Sequence, residues 1–340
     1  MSGARLSDVA ARAGVSEATV SRVLNGKPGV SPTKREAVIG ALDALGYERP
    51  RRLQERRAGL VGLVVPEMDN PVFPAFAQAL ERALARPGIA PILCTQAPAG
   101  GSEDESIELL LEHGVHGIVF VSGMHTDTTA PVTRYTRLLG QGVPIVLVNG
   151  PNEEIAAPSV SVDDALAMRM AVTHLADLGH ERIGLAVGQH RLLPVIRKIE
   201  GFRSAMAGLP GGEPGDGAIA HSLYTSEGGQ AAAAALLDEG CTAVVCASDL
   251  MALGAVRAVR ARGLRVPGDV SVIGFDDSRM LVFTDPPLTT VRQPVTAMAT
   301  AAVDLLMEAV SGRPQSRLVL EFQPELIIRG STGAAPARVA

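Results

Sequence analysis

From residue 60 onward, short apolar runs rich in β-branched residues alternate with stretches of helical periodicity, and this restricts the chain to few architectures. The runs LVGLVVP (60–66), APILCTQ (90–96), GIVFVS (117–122), PIVLVN (144–149), PSVSVD (158–163), RIGLAVG (182–188), AVVCAS (243–248) and VSVIGFD (270–276) are the pattern of strands covered on both faces. Helical segments lie between them, for example at 73–86, 102–112, 164–178, 228–239 and 249–262. Buried strands joined by helices form doubly wound parallel sheets, and the strand count is sufficient for two such lobes. A crevice outside the carboxyl ends of the strands is then the expected ligand site.

The first 46 residues carry a different signal, that of three short helices. Ser7 precedes Val9, Ala10 and Ala13, and Gly14 stops that pattern; Ser16 caps a second helix carrying Val20, Val23 and Leu24; Ser31 caps a third with Val38, Ala41, Leu42 and Leu45, ended by Gly46. Two helices joined through Ala13-Gly14-Val15 read as a helix-turn-helix, with Gly14 supplying the left-handed turn. In the second helix the inward stripe leaves Glu17, Ala18, Ser21, Arg22 and Asn25 exposed. Short side chains there allow approach to a groove floor, hydroxyls hold phosphates, and an arginine pairs with a guanine edge.

The net charge of -5 speaks on its face against a nucleic-acid partner. It divides unevenly, however. Residues 1–57 hold eleven Lys/Arg against six acids, a net of +5, and the remainder is left with -10. Charge asymmetry of this size suggests a basic nucleic-acid or membrane module attached to an acidic body. The stretch 48–59, with Pro50 and a cluster of arginines, reads as a linker, 209–217 as a flexible surface loop, and the last ten residues as a frayed tail.

Other function classes find little support. The cysteines Cys94, Cys241 and Cys246 are odd in number, lie in apolar runs and show no paired metal spacing, which fits buried thiols in a reducing compartment. The histidines form no H-E-x-x-H, and neither G-x-S-x-G nor a phosphate loop is present, so no enzyme, metal or cofactor is expected. No export signal and no apolar run long enough to span a membrane occur, so a cytoplasmic protein is expected and a sugar-binding transport protein is disfavoured.

The segment LSDVAARAGVSEATVSRVLNGKPGVSPTKREAVIGALDALGY resembles the DNA-binding headpiece of the LacI/GalR family of bacterial transcriptional regulators. The resemblance continues through GLVVPEMDNPVF, HLADLGHERIGLAVG, KIEGF, CASDLMALG, DVSVIGFDDS, PPLTTVRQP and PELIIRGST. It implies a three-helix headpiece (1–47), a basic hinge (48–59) and a two-lobed α/β body similar to periplasmic sugar-binding proteins (60–333), crossed by three chain segments. Lobe 1 would take about 60–160 and 292–320, lobe 2 about 161–291 and 321–333, with a tail at 334–340.

The resemblance also implies roles. Glu17 and Ala18 would set operator preference, Arg22 would contact a base, and Ser16, Thr19, Ser21 and Asn25 would largely contact phosphate. Ala18 offers methyl contact alone, whereas Glu17 is open between accepting from a cytosine amino group and facing water. Arg51 and Arg52 would grip phosphates and Leu53 would wedge the minor groove, although the interval from Tyr47 to Leu53 is shorter than the family's. Asn70, Phe73, Asp163, His190, Lys198, Tyr224, Ser248, Asp249 and Asp276 would hold a sugar effector, with Phe73 and Tyr224 as stacking rings in a chain without Trp. Lys198 and Ser248 stand where the family usually has Arg and Asn. Strings such as YERPRRL and NPVFPAFAQ resemble an actinobacterial branch regulating maltose utilisation, which implies maltose or a related glucoside as ligand. The expected mechanism is a homodimeric repressor released from a pseudo-palindromic operator by sugar, with a corepressor response as the alternative. The absence of a terminal leucine heptad favours a dimer over a coiled-coil tetramer.

Overall fold

A computed structural model describes residues 6–24, 30–45, 58–96, 102–209 and 218–336. The chain forms two compact units, a headpiece and a body. In the headpiece, α1 (Leu6–Ala13), α2 (Glu17–Leu24) and α3 (Pro32–Ala44) enclose a core of Val9, Ala10, Val20, Val23, Val38, Ala41 and Leu42. Gly14 adopts φ +64° between α1 and α2, a conformation that costs a residue with a Cβ about 1 kcal/mol or more. Ser16 Oγ accepts from the Thr19 amide at 3.3 Å and thereby caps α2.

The body contains two six-stranded sheets. The first joins β1 (Ala58–Val65), β2 (Ile89–Thr95), β3 (Gly117–Val121), β4 (Ile145–Val148), β5 (Ser159–Val162) and β11 (Val319–Phe322) in the order β11-β5-β4-β3-β1-β2. The second joins β6 (Ile183–Val187), β7 (Ala218–His221), β8 (Ala243–Cys246), β9 (Ser271–Phe275), β10 (Thr289–Arg292) and β12 (Glu325–Ile327) in the order β12-β10-β9-β8-β6-β7. Pairing is parallel in β1–β3, β3–β4, β4–β5, β5–β11, β6–β7, β6–β8, β8–β9 and β9–β10, while β12 runs antiparallel to β10.

Helices clothe both sheets. The first lobe carries α4 (Val72–Ala85), α5 (Glu103–Glu112), α6 (Thr133–Gly140) and α11 (Val295–Val310), and the second α7 (Asp164–Asp177), α8 (Leu193–Ala207), α9 (Ser226–Asp238) and α10 (Asp249–Ala261). The chain therefore passes between sheets after Val162, after Arg292 and after Phe322. Every residue of β3, β4, β6, β8 and β9 is buried, which is why their sequences are apolar runs, broken only by Ser271 at the start of β9. Helices α9 and α10 approach closely because Gly254 has no side chain: a Cβ there would collide with the Ser226 carbonyl.

All eight strands expected from the apolar runs are present, and β7, β10, β11 and β12 join them. The last two residues of the expected linker, Ala58 and Gly59, belong to β1, and the linker's remaining residues lie outside the described ones, as do 210–217. The carboxyl-terminal tail differs from expectation. Ser331 Oγ donates to Val272 O at 2.6 Å and accepts from the Thr289 amide at 2.8 Å, and Ala335 N donates to Leu178 O at 2.8 Å. Residues 331–335 are stitched into the second lobe because these bonds satisfy buried backbone groups at the amino-terminal ends of the interior strands β9 and β10 and at the end of α7.

Candidate functional site

On α2, Val20 and Val23 point into the headpiece core, leaving Ser16, Glu17, Ala18 and Arg22 exposed and Thr19 and Ser21 half-buried. Ser16 and Thr19 share a concavity with Lys34, an arrangement of two hydroxyls and an ammonium suited to a phosphate. Asn25, Arg51, Arg52 and Leu53, which sequence also assigned to DNA, lie outside the described residues.

In the body, the carboxyl ends of both sheets face a cavity of about 390 Å³, lined by Asn70, Phe73, Lys198, Tyr224 and Asp276 among others. Small-ligand sites range over roughly 300–1,000 Å³. Lys198 Nζ, on α8, lies 2.5 Å from Asp164 Oδ1 and 4.1 Å from the centre of the Phe275 ring, with both charged groups nearly inaccessible to solvent. Asp276 accepts from Gln293 Nε2 at 2.6 Å. Burial, and then the charge of Asp249, hold the Asp276 carboxyl well above the usual range, while Gln293 and Lys198 pull it back. Burial, with Asp164 and Asp276 nearby, likewise raises the Tyr224 phenol.

Four polar atoms facing this space make no hydrogen bond within the protein although they are buried: Asn70 Oδ1, Asn149 Oδ1, Ser161 Oγ and Gln293 Oε1. An unsatisfied buried polar atom costs about 1–3 kcal/mol, so such a cluster marks a place where other donors are received. Backbone strain collects here too. Ser122, Asn149 and Asp276 line the cavity with φ of 47°, 69° and 109° at the ends of β3, β4 and β9.

The mouth of the cavity is bridged. Arg191 Nη1 lies 2.6 Å from Asp127 Oδ2, and the Thr128 amide and hydroxyl both donate to Arg191 O at 2.9 Å, tying the loop after β3 to the loop after β6.

Four expected ligand residues lie elsewhere. Asp163 Oδ1 accepts from the Leu166 amide at 2.8 Å and caps α7, so it is the next residue, Asp164, that reaches the cavity. Ser248 Oγ accepts from the Met251 amide at 3.3 Å and caps α10. Asp249 is enclosed, accepting from Thr290 Oγ1 at 2.7 Å and the Ser278 amide at 2.6 Å, and so ties α10 to β10. His190 is exposed, its ring 5.8 Å from that of His221. Besides Asp164, sequence reasoning missed Arg191, Asn149 and Gln293; the Asp163-Asp164 doublet at a strand-to-helix junction was the available signal, since only its first member can cap.

Residues 5–50 match the family described as bacterial regulatory proteins, lacI family, and 172–332 match a periplasmic binding protein-like domain. The HTH-type transcriptional regulator reg1 of Streptomyces lividans is 60% identical over 336 residues, covering 98% of this chain and 97% of that protein. The chain belongs to the LacI family of transcriptional regulators. The regulator MalR of Streptomyces coelicolor is 59% identical over 335 residues, covering 98% and 97% of the two chains. Among solved structures, the transcriptional regulator CelR–cellobiose complex superposes with TM-score 0.72 at 32% identity, covering 96% of this chain and 99% of that one. The lac repressor dimer bound to operator and the anti-inducer ONPF gives 0.75 at 26%, covering 98% and 100%. This LacI-family protein is thus a DNA-binding transcriptional regulator, and among its described residues no helix is long and apolar enough to cross a membrane.

Proposed function

We propose that the protein is a homodimeric repressor whose hold on a pseudo-palindromic operator is released when a sugar enters the interlobe cavity. The carrying observation is the set of four buried, unpaired polar atoms around that cavity, beside Lys198, Asp164 and Asp276 and the rings of Phe73 and Tyr224. Carboxylates and amide oxygens accept from hydroxyls, an ammonium donates to ring oxygens, and aromatic faces cover the apolar side of a pyranose. The cellobiose complex of CelR and the operator complex of the lac repressor dimer support this reading. Maltose or a related glucoside is the ligand class proposed. Ser16, Glu17, Ala18, Thr19, Ser21 and Arg22 form the proposed operator face, two such helices reading successive major grooves. The cavity's role is binding rather than turnover, and the site of action is the cytoplasm.

The test is retardation of promoter DNA from the gene's own neighbourhood, with and without a panel of mono- and disaccharides. Release by a glucoside is expected. A complex tightened by sugar would make the protein a corepressor-type regulator, and no binding at low salt would overturn the operator reading.

A further inference from the structure

The charges lining the interlobe cavity cancel one another within the protein. Four lining residues carry carboxyls (Glu67, Asp127, Asp164 and Asp276) and two carry cations (Arg191 and Lys198). Both cations are already engaged, Lys198 with Asp164 at 2.5 Å and Arg191 with Asp127 at 2.6 Å. Nearby Arg197, 3.8 Å from the other Asp164 oxygen, is itself paired with Glu321. The carboxyls left over, Glu67 and Asp276, are both raised by burial. With both ionised the lining carries two excess negative charges; with both protonated it is neutral. It is never positive. The groups that remain unsatisfied, Asn70 Oδ1, Asn149 Oδ1, Ser161 Oγ and Gln293 Oε1, are uncharged, and three of them are amide oxygens that only accept.

We infer that the cavity selects an uncharged, hydroxyl-rich ligand against its phosphorylated or carboxylated counterparts, and that Asp164 sets this preference by holding Lys198 neutralised. The inference rests on the sugar reading above and specifies the ligand's charge. A phosphate or carboxylate brought here meets acceptors and carboxylates, loses its hydration, and finds no free ammonium or guanidinium among the lining residues, so it is rejected. A neutral polyol instead supplies the donors that the amide oxygens need. Removing the Asp164 charge breaks the closest pairing of Lys198, leaves it only Asp276, a carboxyl that burial disfavours in its charged form, and so makes the cavity more receptive to anions.

The test is calorimetric titration of the full chain with maltose and cellobiose, each beside its phosphate monoester, in wild type and Asp164→Asn. At least one neutral disaccharide should bind about 100-fold or more tightly than its ester. In Asp164→Asn the ratio should move at least about tenfold toward the ester. Equal wild-type affinity for sugar and ester, or binding of the ester alone, overturns the inference while leaving a sugar effector standing; binding of none of the four overturns the glucoside reading and the inference with it. An unchanged ratio in a variant that melts cooperatively removes Asp164 from its role. Should that variant not fold, the wild-type ratio alone decides the charge preference.

Discussion

Replacing Glu103 by glutamine should loosen the turn that forms one wall of the cavity. Glu103 is a nearly inaccessible carboxylate at the start of α5. One oxygen accepts from Gln96 Nε2 at 2.8 Å and from the Met124 amide at 2.9 Å; the other accepts from the Tyr135 hydroxyl and faces Arg134 Nη1 at 3.7 Å. Met124, Thr126 and Asp127, all within or beside the anchored turn, line the cavity, as does Gln96. Glutamine is isosteric but keeps one acceptor oxygen and no charge. If that oxygen serves Gln96 and Met124, the new amide group opposes Tyr135 and Arg134. Bonds to charged groups are worth about 1.5–3 kcal/mol and neutral ones about 0.5–1.5, so downgrading three of them costs about 3 kcal/mol. At ~2–4 °C per kcal/mol for a unit of this size, thermal unfolding of Glu103→Gln should begin well below wild type. Tyr135→Phe, which loses one bond, should fall between the two. Ligand titration should show the glucoside bound about tenfold more weakly in Glu103→Gln, because the turn must be reordered on binding. A variant that melts with wild type and binds ligand equally would refute the claim that Glu103 holds the cavity wall.

His125 is fully enclosed, and burial lowers its pKa from 6.5 to about 4. The native state thus binds fewer protons than the unfolded chain between those values, and stability should fall by about 3 kcal/mol as pH drops from 6.5 to 4, a loss that denaturant titrations of His125→Gln should not show. For Asp276 the sign is opposite: a raised carboxyl pKa makes the native state less stable as pH rises through it. Asp276→Asn should therefore raise the melting temperature at pH 8, by an increment that shrinks toward pH 4, while ligand binding is lost. In the headpiece, Arg22→Ala should cost about 1–3 kcal/mol at one operator position, whereas Lys34→Ala should weaken all DNA alike and reduce the salt slope by about one, both read by anisotropy.

The sequence disclosed the strands that carry runs of apolar side chains, most of them buried on both faces, with the edge strand β2 the half-exposed exception. β3, β4, β6 and β8 are free of polar side chains because helices cover both faces, and β9 departs from this only at its first residue, Ser271, whereas edge strands β11 and β12 are half-exposed and β10 reads Thr-Thr-Val-Arg. Thr289 and Thr290 are buried, but hydrogen bonds to Ser331, Thr332 and Asp249 replace apolar packing, and no periodicity announces that. The cavity was legible where a side chain's chemistry and its position along the motif agree, as with Asn70, Phe73, Lys198, Tyr224 and Asp276. It was illegible where a local demand competes for the same group. Asp163 and Ser248 cap helices, and Asp249 bonds to Thr290 and Ser278, all uses that depend on neighbours distant in sequence or on the exact helix start. Gln293, Asn149 and Arg191 act through tertiary placement alone.

Operator affinity measured at fixed salt across a titration of a glucoside reads whether an occupant of the interlobe cavity governs the affinity of the headpiece for DNA. The operator dissociation constant should rise and level off, and, by reciprocity, glucoside affinity should weaken by the same factor when operator is bound. A glucoside that binds the protein by calorimetry yet leaves the operator dissociation constant unchanged would contradict that control.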